Sequence, residues 1–316
     1  MISVSNNHLF TALYTNFNFV YNKTMKRKRW LIPLIIIAVL VIYCLVTYLV
    51  TPLLIVRPTY NESAASELNM IELSELFLEE RPMNVPLVED VKIGTSYGDL
   101  HGWRLHQSSN TYEGSYDLIL YFGGYNEDSA TAALRFLNQM TDTDHFAGFD
   151  VAVIDWPGFG ISEGKPTDDA IRDTSAAIYR YFNAKSDIRR IYLMGYSFGT
   201  GPATYVASQY NVDGLVLIAP YESAFDLYNS KTPVFYGPMK LLISFHMAEG
   251  DYAENVSTQP LLIMSDSDTV IPNKYSLAVQ KHFPNGADLF TASGVSHGDL
   301  MTSDAVLEAI TAYLHK

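Results

Sequence analysis

The sequence predicts an α/β protein, with a mostly parallel sheet sandwiched between helices. Three observations carry that reading. Short apolar runs recur at 117–122, 149–156, 190–196, 213–220, 259–266 and 287–293. Each is near-continuous rather than alternating, as strands covered on both faces require. Helical patterns at 128–141, 168–184, 198–210, 273–283 and 300–315 separate them, and strand–helix alternation at that spacing favours parallel pairing. With 316 residues, 48% of them apolar, the chain can build one large domain of roughly 250 residues with something added.

The addition lies at the amino terminus. Residues 1–50 carry Lys23, Lys26, Arg27, Lys28 and Arg29 and no Asp or Glu, whereas the rest holds 16 basic against 34 acidic residues. The net charge of −13 therefore conceals a body at −18. A body that acidic is repelled by phosphate backbones, which argues against nucleic acid as a partner. The single cysteine, Cys44, excludes a disulfide framework within one chain and a cysteine-rich zinc site.

Residues 31–56, "LIPLIIIAVLVIYCLVTYLVTPLLIV", contain no charged side chain. That exceeds the ~20 residues needed to cross a hydrocarbon core. "KRKR" precedes the run and only Arg57 follows closely. The positive-inside rule then predicts a single-pass anchor, with a short cytoplasmic segment over 1–30 and the acidic body on the extracytoplasmic side. The run is longer than the ~7–15 apolar residues of a cleaved signal peptide, and no A-x-A-like site follows it. Tyr43 before Cys44 does not fit a lipoprotein signal. A buried core helix is the competing reading. Met25, followed by "KRKR", is a candidate true start.

Residues 57–86 read as a linker with one amphipathic helix, "ASELNMIELSELFLEE", and the body proper as 87–316. The body opens on a hairpin, "VKIGTSYGDLHGWRLHQ", with Gly98-Asp99 near its turn. This adds two antiparallel strands at one edge and brings the sheet to eight. The stretch 221–258 is the least regular. Its aromatics (Phe225, Tyr228, Phe235, Tyr236, Phe245) and its place between two strands suggest either a small lid or a long loop with one helix.

Ser197 stands out within this frame. "GYSFG" (195–199) fits G-x-S-x-G, and it sits where the apolar run "IYLM" gives way to a helical pattern. A turn from strand directly into helix strains the middle residue's backbone. Glycines on either side lack the Cβ atoms that would clash, so the hydroxyl is left exposed at the sheet's carboxyl edge. The helix that follows aims its N–H groups at the same point. A serine needs a base to act as a nucleophile. In the order Ser…Asp/Glu…His the base belongs after the last strand, and of the eight histidines His297, in "ASGVSHGDL", has that place. The competing reading is a plain helix-start turn at Ser296-His297. The acid belongs after the preceding strand, where "LLIMSDSDTVIP" offers Asp268, with Asp266 as the fallback. Asp299 reads as the cap of the final helix. Two main-chain N–H groups are needed for an oxyanion. One belongs to Phe198, and the other to the "GGYNED" loop after "DLILYF", at Gly124 or alternatively Tyr125.

Four stations in order, namely the "GG" turn, "DWPGFGISEGKP" (155–166), "GYSFG", and "SDSDTVIP" with "SHGD", resemble those of the α/β-hydrolases. The second is similar to the D-x-x-G-x-G-x-S-x-G segment of the serine-aminopeptidase and monoacylglycerol-lipase-like branch. With its anchor and short lid, the chain is most similar to membrane-anchored members. The resemblance implies the α/β-hydrolase fold, an eight-stranded sheet, a Ser197–Asp268–His297 triad and no metal or organic cofactor. It also implies a small acyl substrate, lipid-like where the lid favours it. Two departures stand out: Phe122 replaces the usual histidine before the oxyanion glycine, and Ser265 replaces the usual glycine before the acid. The expected activity is hydrolysis of a carboxylic ester or thioester. A peptidase or amidase, with Glu222 of "PYES" recognising a free amine, is the alternative, as is a non-catalytic membrane-anchored binding protein.

Overall fold

The computed structural model describes residues 31–51, 71–72, 87–106, 115–142, 145–231, 233 and 235–316. The chain divides into an amino-terminal unit ending at Val50 and a body, Thr51–Lys316. In the first unit, α1 (Leu31–Val50) is a 20-residue apolar helix with none of its length buried. At 1.5 Å per residue it is about 30 Å long, which matches the hydrocarbon core of a bilayer. Thr51, next in the chain, is a turn residue; it precedes Pro52, whose ring disfavours helical backbone in the residue before it. The cytoplasmic segment expected over 1–30, with its candidate start at Met25, and the end of the apolar run at 52–56 lie outside the described residues. So does the 57–86 linker, apart from Ile71 and Glu72, which are helical.

The body is built on β1 (Leu87–Thr95), β2 (Gly98–His106), β3 (Tyr116–Phe122), β4 (Phe149–Ile154), β5 (Ile188–Tyr196), β6 (Gly214–Ile218), β7 (Leu261–Ser265) and β8 (Asp288–Ala292). They form one sheet in the order β1-β2-β4-β3-β5-β6-β7-β8. β2 runs antiparallel to both neighbours, and every other pair is parallel. The hairpin turns at Ser96-Tyr97. Gly98 adjoins that turn, as expected, and opens β2 at φ 114°, where a Cβ would lie 2.6 Å from that of Glu163. β4, β6 and β7 are buried at every position, as two-sided cover demands, whereas β8 at the far edge alternates.

Helices α2 (Ser129–Asp142), α3 (Asp168–Asn183), α4 (Thr200–Gln209), α5 (Ala224–Lys231), α6 (Glu249–Ala253), α7 (Asn273–Gln280) and α8 (Asp304–Leu314) flank the sheet. α3 shows why local sequence fixes its start. Thr167 accepts the Ala170 N–H at 3.2 Å, and Asp168 and Asp169 face the positive end of the helix dipole. Two expected helices begin differently. A 3-10 turn, Ser197–Gly199, precedes α4, and another, His297–Thr302, precedes α8. Asp299 therefore does not cap the final helix. It lies inside the second 3-10 turn and accepts from the Ser296 hydroxyl, while Ser303 holds the cap position.

The excursion 221–258 holds α5, a 3-10 turn (Gly237–Leu242) and α6. Tyr228, Phe235 and Phe245 are buried, so most of its aromatics pack inward. Tyr236 and Leu241, in contrast, are 59% and 80% exposed.

Candidate active site

The elbow at the end of β5 is strained in the way its glycines predict. Ser197 has φ 53°, a left-handed conformation that costs a non-glycine residue about 1–3 kcal/mol. A Cβ on Gly195 would lie 2.6 Å from the Gly199 carbonyl oxygen. One on Gly199 would lie 1.9 Å from the Phe122 carbonyl oxygen and 2.6 Å from that of Gly123. The second glycine therefore lets the elbow press against the loop after β3. The exposure expected for the Ser197 hydroxyl is not found: the residue is only 6% exposed, covered by the loops that meet at the elbow.

Three side chains from three loops meet at this elbow. His297 Nε2 is 2.9 Å from Ser197 Oγ, and its Nδ1 is 2.6 Å from Asp268 Oδ2. The second oxygen of Asp268 accepts the N–H groups of Val270 and Ile271, both at 2.8 Å. With its side chain fully buried, the carboxylate is thus pinned by two main-chain donors and one imidazole. The turn "SDSDTVIP", and not merely a strand end, supplies those two main-chain donors. Asp266, the fallback, is directed elsewhere. It accepts from Gly294 N–H at 2.7 Å and Ser293 Oγ at 2.9 Å, and these bonds hold its exposed carboxyl below the usual range. Ser265, at the position expected to be glycine, donates to the Val295 carbonyl at 2.5 Å and so ties the acid loop to the histidine loop.

Tyr196, the residue before the serine, was not singled out by the sequence. Its hydroxyl donates to the His297 carbonyl at 2.7 Å, and its ring stacks on the imidazole at 5.3 Å between centroids. Burial first, and the nearby Glu127 carboxylate second, push its phenol up, so it remains a donor. The signal for it was the variable position of G-x-S-x-G, filled by an aromatic with one polar atom.

Gly124 lies at the same place: a Cβ there would be 3.9 Å from Ser197 Cβ. Its neighbour Tyr125 packs against the core. Phe198 is 1% exposed, with its ring edge-on to Trp156 at 6.3 Å. Phe122, which stands where a histidine was expected, stacks on Trp156 at 5.5 Å. Such a pair contributes about 0.5–1.5 kcal/mol beyond its burial, so a packing role has replaced a polar one.

Two further carboxyls, Glu249 and Asp155, are buried in the scaffold. Glu249 accepts from Thr200 Oγ1 at 2.7 Å, Thr204 Oγ1 at 3.1 Å and Tyr221 N–H at 3.3 Å, and burial pushes it up to about 8. Asp155, the first residue of "DWPGFG", accepts from Ser129 N–H at 2.6 Å and Ser129 Oγ at 2.7 Å, and burial pushes it up to about 7. It holds α2 to β4, and a Cβ on Gly160 would lie 2.1 Å from it. That motif is scaffold here. Glu222 is occupied by His282, whose Nε2 lies 3.0 Å from it. Among the described residues, no group of three or more His, Cys, Asp or Glu side chains is placed to hold a metal ion.

Residues 119–237 match the family model of the alpha/beta hydrolase fold. The chain is 34% identical to human Protein ABHD12B over 110 residues, which is 33% of this chain and 29% of that protein. It is 23% identical to the Lysophosphatidylserine lipase ABHD12 of Danio rerio over 213 residues, 58% of this chain and 54% of that one. The chain thus spans about half or less of these two relatives. Among solved structures it is similar to the Pyrococcus furiosus esterase Pf2001, at 17% identity and a TM-score of 0.57 over 75% of this chain and 96% of that one. The strand order, the strained serine at the end of β5 and the family match agree: the chain has the α/β-hydrolase fold.

Proposed function

We propose that the protein is a serine hydrolase that cleaves a carboxylic ester or thioester through an acyl-enzyme. The observation that supports this best is the continuous Asp268–His297–Ser197 hydrogen-bond chain. Ser197 Oγ attacks the acyl carbonyl while His297 Nε2 takes its proton. Asp268 Oδ2 holds Nδ1–H, fixes the tautomer and stabilises the imidazolium. The N–H groups of Phe198 and Gly124 receive the oxyanion. His297 then protonates the leaving oxygen or sulfur, the carbon–leaving-group bond breaks, and an ester to Ser197 remains. Water, deprotonated by His297, releases the acid and returns the proton to Ser197.

A lipid-like acyl substrate fits a chain with a membrane-length apolar helix, and similarity to a lysophosphatidylserine lipase points the same way. The inward packing of the lid aromatics lends that substrate no support. The amine-recognition role of Glu222 is not favoured, because His282 holds that carboxylate. α1 serves as a single-pass anchor with the hydrolase body outside the cytoplasm. Carbonate extraction and protease protection of a carboxyl-terminal tag test both parts of that statement.

The catalytic reading is tested with a fluorophosphonate probe on the full chain. Labelling of the parent and none of Ser197→Ala supports it. A folded parent that stays unlabelled favours a non-catalytic binding protein.

A further inference from the structure

The loop after β3 needs a support that the mechanism above does not supply. The side chain at 122 is committed to Trp156, so it cannot hold the loop through a polar contact. Glu127 lies five residues on. Its N–H donates back to the Gly124 carbonyl at 3.3 Å and closes the loop as a turn. Its carboxylate then folds under that turn, and a Cβ on Gly123 would lie 2.9 Å from Oε2. Tyr121, near the end of β3, donates its hydroxyl to Oε2 at 2.7 Å. Arg135, on α2, pairs with Oε1.

The guanidinium sits 5.3 Å from the ring centroids of both Tyr121 and Phe136. Its Nε and Nη2 are shut off from solvent without an acceptor. One carboxylate is therefore tied to the strand before the loop, to the helix after it and to the turn between them. The turn in question holds Gly124, whose Cβ position is 3.4 Å from the Tyr196 ring and 3.9 Å from Ser197 Cβ. Even a partly buried ion pair seldom adds much net stability, so its presence here points to fixing a geometry.

We propose that Glu127 is a positioning residue for the oxyanion hole: held by Tyr121 and Arg135, it fixes the Gly123–Gly124 turn so that the Gly124 N–H meets the developing oxyanion. This rests on the serine-hydrolase reading. A misplacement of about 1 Å in such a donor is enough to lower a rate about 100-fold.

The test uses the full chain, a short chromogenic ester and an alkylboronic acid, which forms a tetrahedral adduct on the serine. Glu127→Gln leaves Arg135 without a counter-charge and risks the fold, so the charge-balanced double variant Glu127→Gln with Arg135→Met is made alongside it. Tyr121→Phe, which removes a single hydrogen bond, is the mildest member. For the first two, kcat is expected to fall about 10–100-fold with KM within about 3-fold. Boronate affinity should weaken by the same factor as kcat/KM. Tyr121→Phe should lower kcat about 2–10-fold. A merely structural role would instead lower the melting temperature with kcat and boronate affinity kept. Folded variants with parental kcat, or with KM raised and kcat unchanged, would overturn the proposal. Fluorophosphonate labelling of the parent separates the two levels. A labelled parent with active variants removes only the role of Glu127, whereas an unlabelled parent removes the hydrolase reading and this role with it.

Discussion

The Tyr196 hydroxyl donates to the His297 carbonyl at 2.7 Å while its ring lies against the imidazole, 29° from parallel. One side chain, adjacent to Ser197, therefore holds the histidine loop by both its main chain and its ring. A net hydrogen bond contributes about 0.5–1.5 kcal/mol, so Tyr196→Phe, which keeps the stacking, should lower kcat on a short ester about 2–10-fold. Tyr196→Ala, which loses both contacts, should lower it further. Equal activity in all three proteins would show that the loop needs no such support.

Asp268 and Asp266 are two residues apart and have different tasks. Asp268→Asn leaves the geometry near His297 intact but favours the wrong tautomer, and kcat should drop by about 10⁴. Asp266→Asn disturbs only an exposed turn at Ser293-Gly294 and should stay within about 3-fold of the parent. Steady-state kinetics on one ester decide the matter. A larger loss for Asp266→Asn than for Asp268→Asn would reverse the assignment.

Gly199→Ala tests the contact between the elbow and the loop after β3. A Cβ 1.9 Å from the Phe122 carbonyl oxygen cannot be absorbed without backbone movement. Overpacking of this kind costs about 1–3 kcal/mol or more, so the melting temperature should fall by at least about 2 °C. Gly298→Ala, with open space around its Cβ position, should melt close to the parent.

Glu249 and Asp155 make stability depend on pH. Their folded-state values, about 8 and about 7, lie above the unfolded ones because burial disfavours the charged form. Each is protonated in the folded chain where the unfolded chain has already lost the proton. Their contribution is therefore complete only below the unfolded values, 3.8 and 4.5, and is lost progressively as pH rises to the folded values of about 7 and about 8. Melting temperatures should decline from about pH 5 to about pH 8, and Glu249→Gln should flatten that decline. A profile identical to the parent's would show that Glu249 is ionised in the fold.

The sheet was readable because its central strands are buried on both faces and hence continuously apolar, as in "LILYF" and "VAVI". Ser197, His297 and Asp268 were readable because each occupies a loop whose place in the strand order is set by topology. The hairpin turn was readable because glycine marks a left-handed position, here Gly98 at φ 114°, directly after the turn. The two 3-10 turns were invisible because one short turn has no period of its own that separates it from the helix that follows. Glu127, Glu249 and Tyr196 act through partners 6–101 positions away, and periodicity carries no trace of such pairings.

The relay itself is tested most directly by the mass of the protein quenched during turnover of an acetyl ester. The expected result is an early burst of product, with one acetyl group on the peptide that contains Ser197 and none on Ser197→Ala. Turnover by folded protein with the acyl group on another side chain, or undiminished turnover by Ser197→Ala, would contradict it.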